Sequence, residues 1–182
     1  ELLADIAIER INQEFSKLLT GKSAYEIVEK YTEILSVFIP NLNQLKRSNA
    51  FQETLNSLKN APLILTLRLA LFIKNFQDFS LLQDLKYSNQ IINRVTTLIS
   101  LNKLPLESKV DLKKIMSKCS DDSLIEEFLF MKYALSNRFP IELYRNLVID
   151  IKKNHECLTL HDCCVNGYDC LRLNVPKKEI HK

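Results

Sequence analysis

The sequence predicts an all-α protein: a multi-helix array of neck and body helices, followed by a small helical tail unit. Three observations predict it. Apolar residues recur at spacings of three and four along most of the chain, the period of one helix face. Only 2 Gly and 5 Pro stand among 182 residues, too few turn formers for a sandwich or barrel of many short strands. Hydrophobic residues make up 46% and charged residues 26%, a balance that supports a packed core and excludes a disordered chain.

The elements follow in order. Ile8, Ile11, Phe15, Leu18 and Leu19 lie on one helical face, and Gly21 stops that helix. Ser23 with Glu26 three residues on forms a capping-box pattern. It opens a helix with Ile27, Val28, Tyr31, Ile34 and Leu35 inward and Pro40 at its close. Phe51, Leu55 and Leu58 mark a third helix. Pro62 suits the first turn of a fourth, apolar nearly all round and therefore expected at the centre of the domain. Ser88 or Asn89 caps a helix carrying Ile91, Ile92, Val95, Leu98 and Ile99, and another spans about Val110 to Lys118. Ser120 and Asp121 cap a helix with Ile125, Phe128, Leu129 and Leu135, and Pro140 starts one that runs to about Asn154.

Composition shifts after Asn154. Residues 155–182 hold four of the 5 Cys, all 3 His, the Asn166-Gly167 turn signal and a helix start at Pro176. The chain therefore divides into neck helices (1–39), a helical body (40–154) and the truncated start of a tail (155–182). Glu1 reads as mid-helix, the mark of a piece of something larger. The longest apolar stretch, Ala61 to Ile73, is broken by Thr66 and Arg68 and is too short to span a bilayer. With no basic-then-apolar leader in these residues, the expected compartment is a reducing cytoplasm with free thiols.

Two glycines cannot build a Gly-rich phosphate cradle, which excludes a dinucleotide fingerprint or a P-loop. The formal charge of +3 permits phosphate contact without demanding it.

Read together, the segments resemble the C-terminal part of bacterial CCA-adding enzymes, tRNA nucleotidyltransferases of the poly(A) polymerase-like class. IAIERINQEFSKLLTGKSAYEIV resembles that family's neck helix with its E-R-I-R-E-E-L-type run, and Glu9, Arg10, Ile11 and Glu14 stand at the matching positions. ILTLRLALF resembles the buried body helix, and LKYSNQIINRV the helix the family writes L-K-F-S-N-E-E-I-E-R-V. LTLHDCCVNGYDCLRLNVPKKEIHK resembles the tail, an N-G-x-D-L turn followed by a P-x-K-E-I helix start.

Two departures shape what the resemblance implies. Relatives with this body often carry a His-Asp metal site of the HD-phosphohydrolase type. Here the matching pair is Lys74 and Asn75, and the other metal histidines match Glu53 and Asn102. Lys brings a repelling cation to a divalent metal, so HD-type hydrolysis is not expected and the body reads as scaffold. The family's catalytic head, with its Gly-Ser turn and paired metal-binding aspartates, lies before the neck and outside these residues. The resemblance places Mg2+ with CTP and ATP in that head, together with the choice among adding CCA, A or CC. No catalytic residue and no metal ligand is expected here. The implied local task is tRNA processing by grip: neck and body support the head, and the tail holds the tRNA elbow.

His155, Cys157, His161, Cys163, Cys164 and Cys170 suggest a zinc cluster, but they lack the paired C-x-x-C pattern, and adjacent Cys163-Cys164 suits a tetrahedral site poorly. Cys163, Cys164 and Cys170 match Leu or Ala positions of the tail motif, where a thiol serves as a small hydrophobe. A Cys-His nucleophile lacks a local signature. Lys109, Lys113, Lys114 and Lys118 make a helical stripe that reads first as a solvated face. Lys177, Lys178 and Lys182 open a helix after Pro176, where free backbone N–H groups favour phosphate. Asn166-Gly167 shapes the neighbouring turn, and Arg10, Lys17 and Lys22 are the neck's candidates for RNA contact. Arg68 reads as an internal salt-bridge partner.

The leading expectation is sequence-independent tRNA binding through phosphates and helical shape. The alternative is a stand-alone helical protein-interaction module without catalytic activity. A Gly-Ser turn with D-x-D about a domain's length upstream would decide for the first.

Overall fold

The computed structural model describes residues 7–76 and 79–159, with residues 162, 169, 172 and 173 beyond them. Among these residues there are eleven helices and no strand. None of the helices is long and apolar enough to cross a membrane.

Helix α1 (Ile8–Thr20) buries Phe15 and Leu19 and stops at Gly21. Gly21 leaves the helix in an extended conformation (φ −72°, ψ 153°), and a Cβ there would lie 3.2 Å from the Leu18 carbonyl oxygen. The predicted second helix is two pieces, α2 (Ala24–Lys30) and α3 (Thr32–Leu35), broken at Tyr31. Just after the break, the Thr32 hydroxyl donates to the Val28 carbonyl at 2.7 Å. The break turns Tyr31 and Ile34 outward, against expectation, and leaves Val28 buried. The Ser23 capping box does not form. Ser23 sits in a turn conformation (φ −96°, ψ 25°) rather than the extended one a cap needs, and its side chain makes no cap bond.

Pro40 precedes a short α4 (Asn41–Lys46), and α5 (Asn49–Asn60) buries Phe51, Leu55 and Leu58 as its pattern predicts. Pro62 does not occupy the first turn of the next helix. It lies in a turn two residues before the N-cap Ile64 of α6 (Leu65–Ile73). Every residue of α6 from Leu67 to Ile73 is buried, and it packs against α1, α5, α8 and α10, so the expected centre of the domain is there.

A short α7 (Leu81–Asp84) leads to α8 (Asn89–Asn102), capped by the Ser88 hydroxyl. A capping box of Ser108 and Asp111 opens α9 (Lys109–Met116), and the Asp121 carboxylate caps α10 (Asp122–Leu135). Last comes α11 (Ile141–Lys153), which ends at Asn154. One core runs from Phe15 and Leu19 through Leu42, Leu58 and Phe72 to Phe128 and Ala134, spanning the expected 39/40 boundary. A smaller cluster of Leu112, Met116, Ile125 and Ile151 ties α9, α10 and α11 together.

Arg68 is 2% exposed and makes no salt bridge among the described residues, contrary to expectation. Its guanidinium donates to four backbone carbonyls instead: Leu19 (2.6 Å), Gly21 (2.8 Å), Ala61 (2.9 Å) and Pro62 (2.9 Å). The first two close α1, where the helix dipole and unpaired carbonyls favour a cation. The last two follow α5. One buried side chain thus fastens the end of the first helix to the body.

Candidate functional site

Glu53 lies on α5, and Lys74 and Asn75 follow α6, yet the fold brings these positions together. The Asn75 amide donates to Thr54 Oγ1 at 3.3 Å and to the Ala50 carbonyl at 3.4 Å. Lys74 Nζ donates to Asn75 Oδ1 at 3.2 Å. Burial pushes the Lys74 ammonium below its ordinary value, and the nearby Glu53 carboxylate works in the opposite direction. Asn102 ends α8; its backbone carbonyl accepts from Lys132 Nζ at 3.0 Å, while its side-chain Oδ1 is buried without a partner. An ammonium and two amides offer a divalent ion no charged donor beyond Glu53, so these residues do not fit a metal centre. Among the described residues no group of three His, Cys, Asp or Glu is placed to hold a metal ion.

The neck candidates have three different surroundings. Lys17 pairs with Glu14 at 2.9 Å, both largely exposed. Lys22 is exposed just after Gly21 and has no ion pair among the described residues. Arg10 borders an apolar cavity of about 210 Å³ between α1 and residues 35–39. Leu85 also lines this cavity, and α1 is fixed to residues 85–87: Asn12 donates to the Leu85 carbonyl at 2.6 Å, Ser16 bonds the Tyr87 hydroxyl at 2.9 Å, and Glu9 pairs with Lys86.

The lysine stripe on α9 is largely engaged. Lys109 and Lys113 both reach Glu156, and Lys114 lies 3.8 Å from Asp111. The two pairs with Glu156 fasten α9 to the segment after α11, the third lies within α9, and only Lys118 of the stripe is left exposed without an ion pair among the described residues. The tail candidates Asn166, Gly167, Lys177, Lys178 and Lys182 lie outside the described residues, as do His161, Cys163, Cys164 and Cys170. Cys157 is exposed, and its thiol donates to the Asp162 carbonyl at 3.1 Å. Burial pushes the Cys119 thiol up to about 11, which keeps it protonated and unreactive near neutral pH.

Two features escape sequence reading. Arg94 joins three elements, reaching Asp121 and Ser123 at the start of α10 and the buried Glu127, which also accepts from Thr66 of α6. Glu127 on the otherwise apolar inner side of α10 was the available signal. A polar groove of about 610 Å³ also runs between α5 and residues 134–138, with Lys59, Asn60, Asn137 and Arg138 among its walls. Comparison with family models, curated proteins and solved structures finds no match to this chain.

Proposed function

We propose that this chain is the neck, body and start of the tail of a CCA-adding tRNA nucleotidyltransferase working in the cytoplasm. Its own task is to bind tRNA through backbone phosphates. Nucleotidyl transfer from CTP and ATP with Mg2+ belongs, by the resemblance, to a catalytic head preceding α1. The observation that carries this reading is the meeting of Glu53, Lys74 and Asn75 at the α5–α6 junction. By the resemblance these residues match metal positions of an HD-type body, and their meeting through an ammonium and an amide supports reading the place as structural. The all-helical architecture around a buried α6 supports the same reading.

Contact with tRNA falls to Lys177, Lys178 and Lys182 with the Asn166-Gly167 turn. Lys22 and Lys17 extend the contact on the neck, since a surface pair such as Lys17–Glu14 is weak enough to yield to a phosphate. Fluorescence anisotropy with labelled tRNA and with a DNA hairpin of equal length tests the proposal. The expected result is tRNA binding at low salt in roughly the micromolar range, tighter than the hairpin, with no incorporation of labelled CTP or ATP. Equal affinity for both nucleic acids, or nucleotide incorporation by the purified chain, would contradict it.

A further inference from the structure

Helix α11 ends in a turn that brings one carboxylate back to α9. The His155 amide donates to the Lys152 carbonyl at 3.1 Å and the Glu156 amide to the Ile151 carbonyl at 3.0 Å, the paired bonds of a Schellman ending. His155 takes the left-handed position (φ 48°) that such a turn requires, where glycine is the usual residue. Strain accepted at a residue other than glycine points to a demand on the position that follows. That position is Glu156. Its two carboxylate oxygens face different lysines of α9: Oε1 meets Lys109 Nζ, and Oε2 lies 3.5 Å from Lys113 Nζ. Leu158 then packs against the cluster of Leu112, Met116, Ile125 and Ile151. The Asp162 carboxylate accepts from the amides of Leu158 (3.0 Å) and Thr159 (2.7 Å). Residues 154–159 are therefore a strap, fixed at the turn, at Glu156 and at Leu158.

Two ammonium groups one turn apart on a helix, both turned to a single carboxylate, are surroundings that a phosphodiester can share, since it too brings one negative charge and two free oxygens. Lys114 on α9 and Lys118 just beyond it extend the positive charge along the same element. Asp111 opposes it there, capping the helix and lying 3.8 Å from Lys114. The Glu156 side chain is 25% and the Lys113 side chain 26% exposed, so the contact stands at the surface, where ion pairs are weak enough to exchange partners. We propose that Lys109 and Lys113 form a binding site for the phosphates of an RNA backbone, and that Glu156, held by the strap, is an autoinhibitory carboxylate occupying it. The inference rests on the phosphate-binding reading above and adds to it a second site with a built-in competitor. A polymer of phosphates is the fitting occupant. A single anion gains little over the carboxylate already in place, whereas contacts elsewhere hold a polymer close to the site. RNA that binds displaces Glu156 from both lysines, and the Schellman turn keeps the carboxylate near enough to return.

Fluorescence anisotropy with a labelled oligouridylate, a phosphate polymer without tRNA shape, tests the proposal on the full 182-residue chain. Glu156→Gln should bind about tenfold more tightly than the wild type at low salt and steepen the slope of log affinity against log salt by about 1.4, two single-strand contacts at roughly 0.7 each. Glu29→Gln, which removes the same charge from an exposed position of α2, should change neither. Lys109→Gln with Lys113→Gln should leave the wild-type affinity nearly unchanged, because Glu156 already occupies those lysines, and should erase the whole gain in the Glu156→Gln background. Affinity and slope unchanged by Glu156→Gln, in a chain still folded by circular dichroism, would overturn the proposal. So would a gain that survives the loss of both lysines, or a wild-type chain that loses about tenfold in affinity when the two lysines are changed. The readout is a difference between variants on a polymer lacking tRNA shape, so equal affinity for tRNA and a DNA hairpin would refute the proposed function without producing any of these outcomes.

Discussion

Four carbonyl oxygens converge on Arg68, and no carboxylate balances it among the described residues. Burial pushes the guanidinium below its ordinary value, but an arginine starts high enough to remain charged. Its planar fork matches carbonyls arriving from two directions, which a single ammonium cannot do. Arg68→Met is therefore expected to destabilise the fold by about 3 kcal/mol, since buried acceptors lose their donors, and Arg68→Lys by somewhat less. Urea unfolding of the three proteins measures this. Asp121 supplies the pH-dependent counterpart. Hydrogen bonds from Arg94, then from Ser123 and the Leu124 amide, hold its carboxyl well below the ordinary aspartate range. Its folded pKa is depressed, so its contribution is complete above the unfolded value near 3.9 and is lost as pH falls below it. Asp121→Asn should flatten the acid limb of a stability-against-pH curve below about pH 4 and leave the shape near neutrality unchanged. An acid limb of undiminished slope in that variant would assign the loss to other carboxylates.

Helix starts were legible where a side chain closes the turn and illegible where backbone context decides. Ser88 and Asp121 cap as their spacing implies, while Ser23 fails because the turn after Gly21 removes the extended conformation it needs. Proline at 62 marked a boundary but not its position, because its carbonyl is used by Arg68 and the helix begins after Ile64. The break at Tyr31 has no punctuating Gly or Pro to announce it. At α9 the capping box of Ser108 and Asp111 is complete on both sides. Ser108→Ala should cost about 1 kcal/mol in thermal or urea unfolding, and a change under roughly a quarter of that would mean the helix is held by Glu156 and the apolar cluster instead.

Over the whole molecule, the all-helical class and the central α6 could be read from apolar periodicity, because burial on all sides leaves a nearly unbroken apolar run. The Arg68 clamp was not legible, because backbone carbonyls leave no mark in a sequence. Neither was the cavity beside α1, which depends on how the chain turns at Tyr31. Phosphate-directed tRNA binding is the central functional claim, and its signature is ionic. The most direct measurement is the slope of log affinity for tRNA against log salt, for the chain and for a variant with Lys177, Lys178 and Lys182 all changed to Gln. Each phosphate contact contributes about 0.7 to 0.9 to that slope, so the variant should flatten it by about two units while its helical signal by circular dichroism stays unchanged. An unchanged affinity and an unchanged slope would contradict the account and remove the tail lysines from the binding surface.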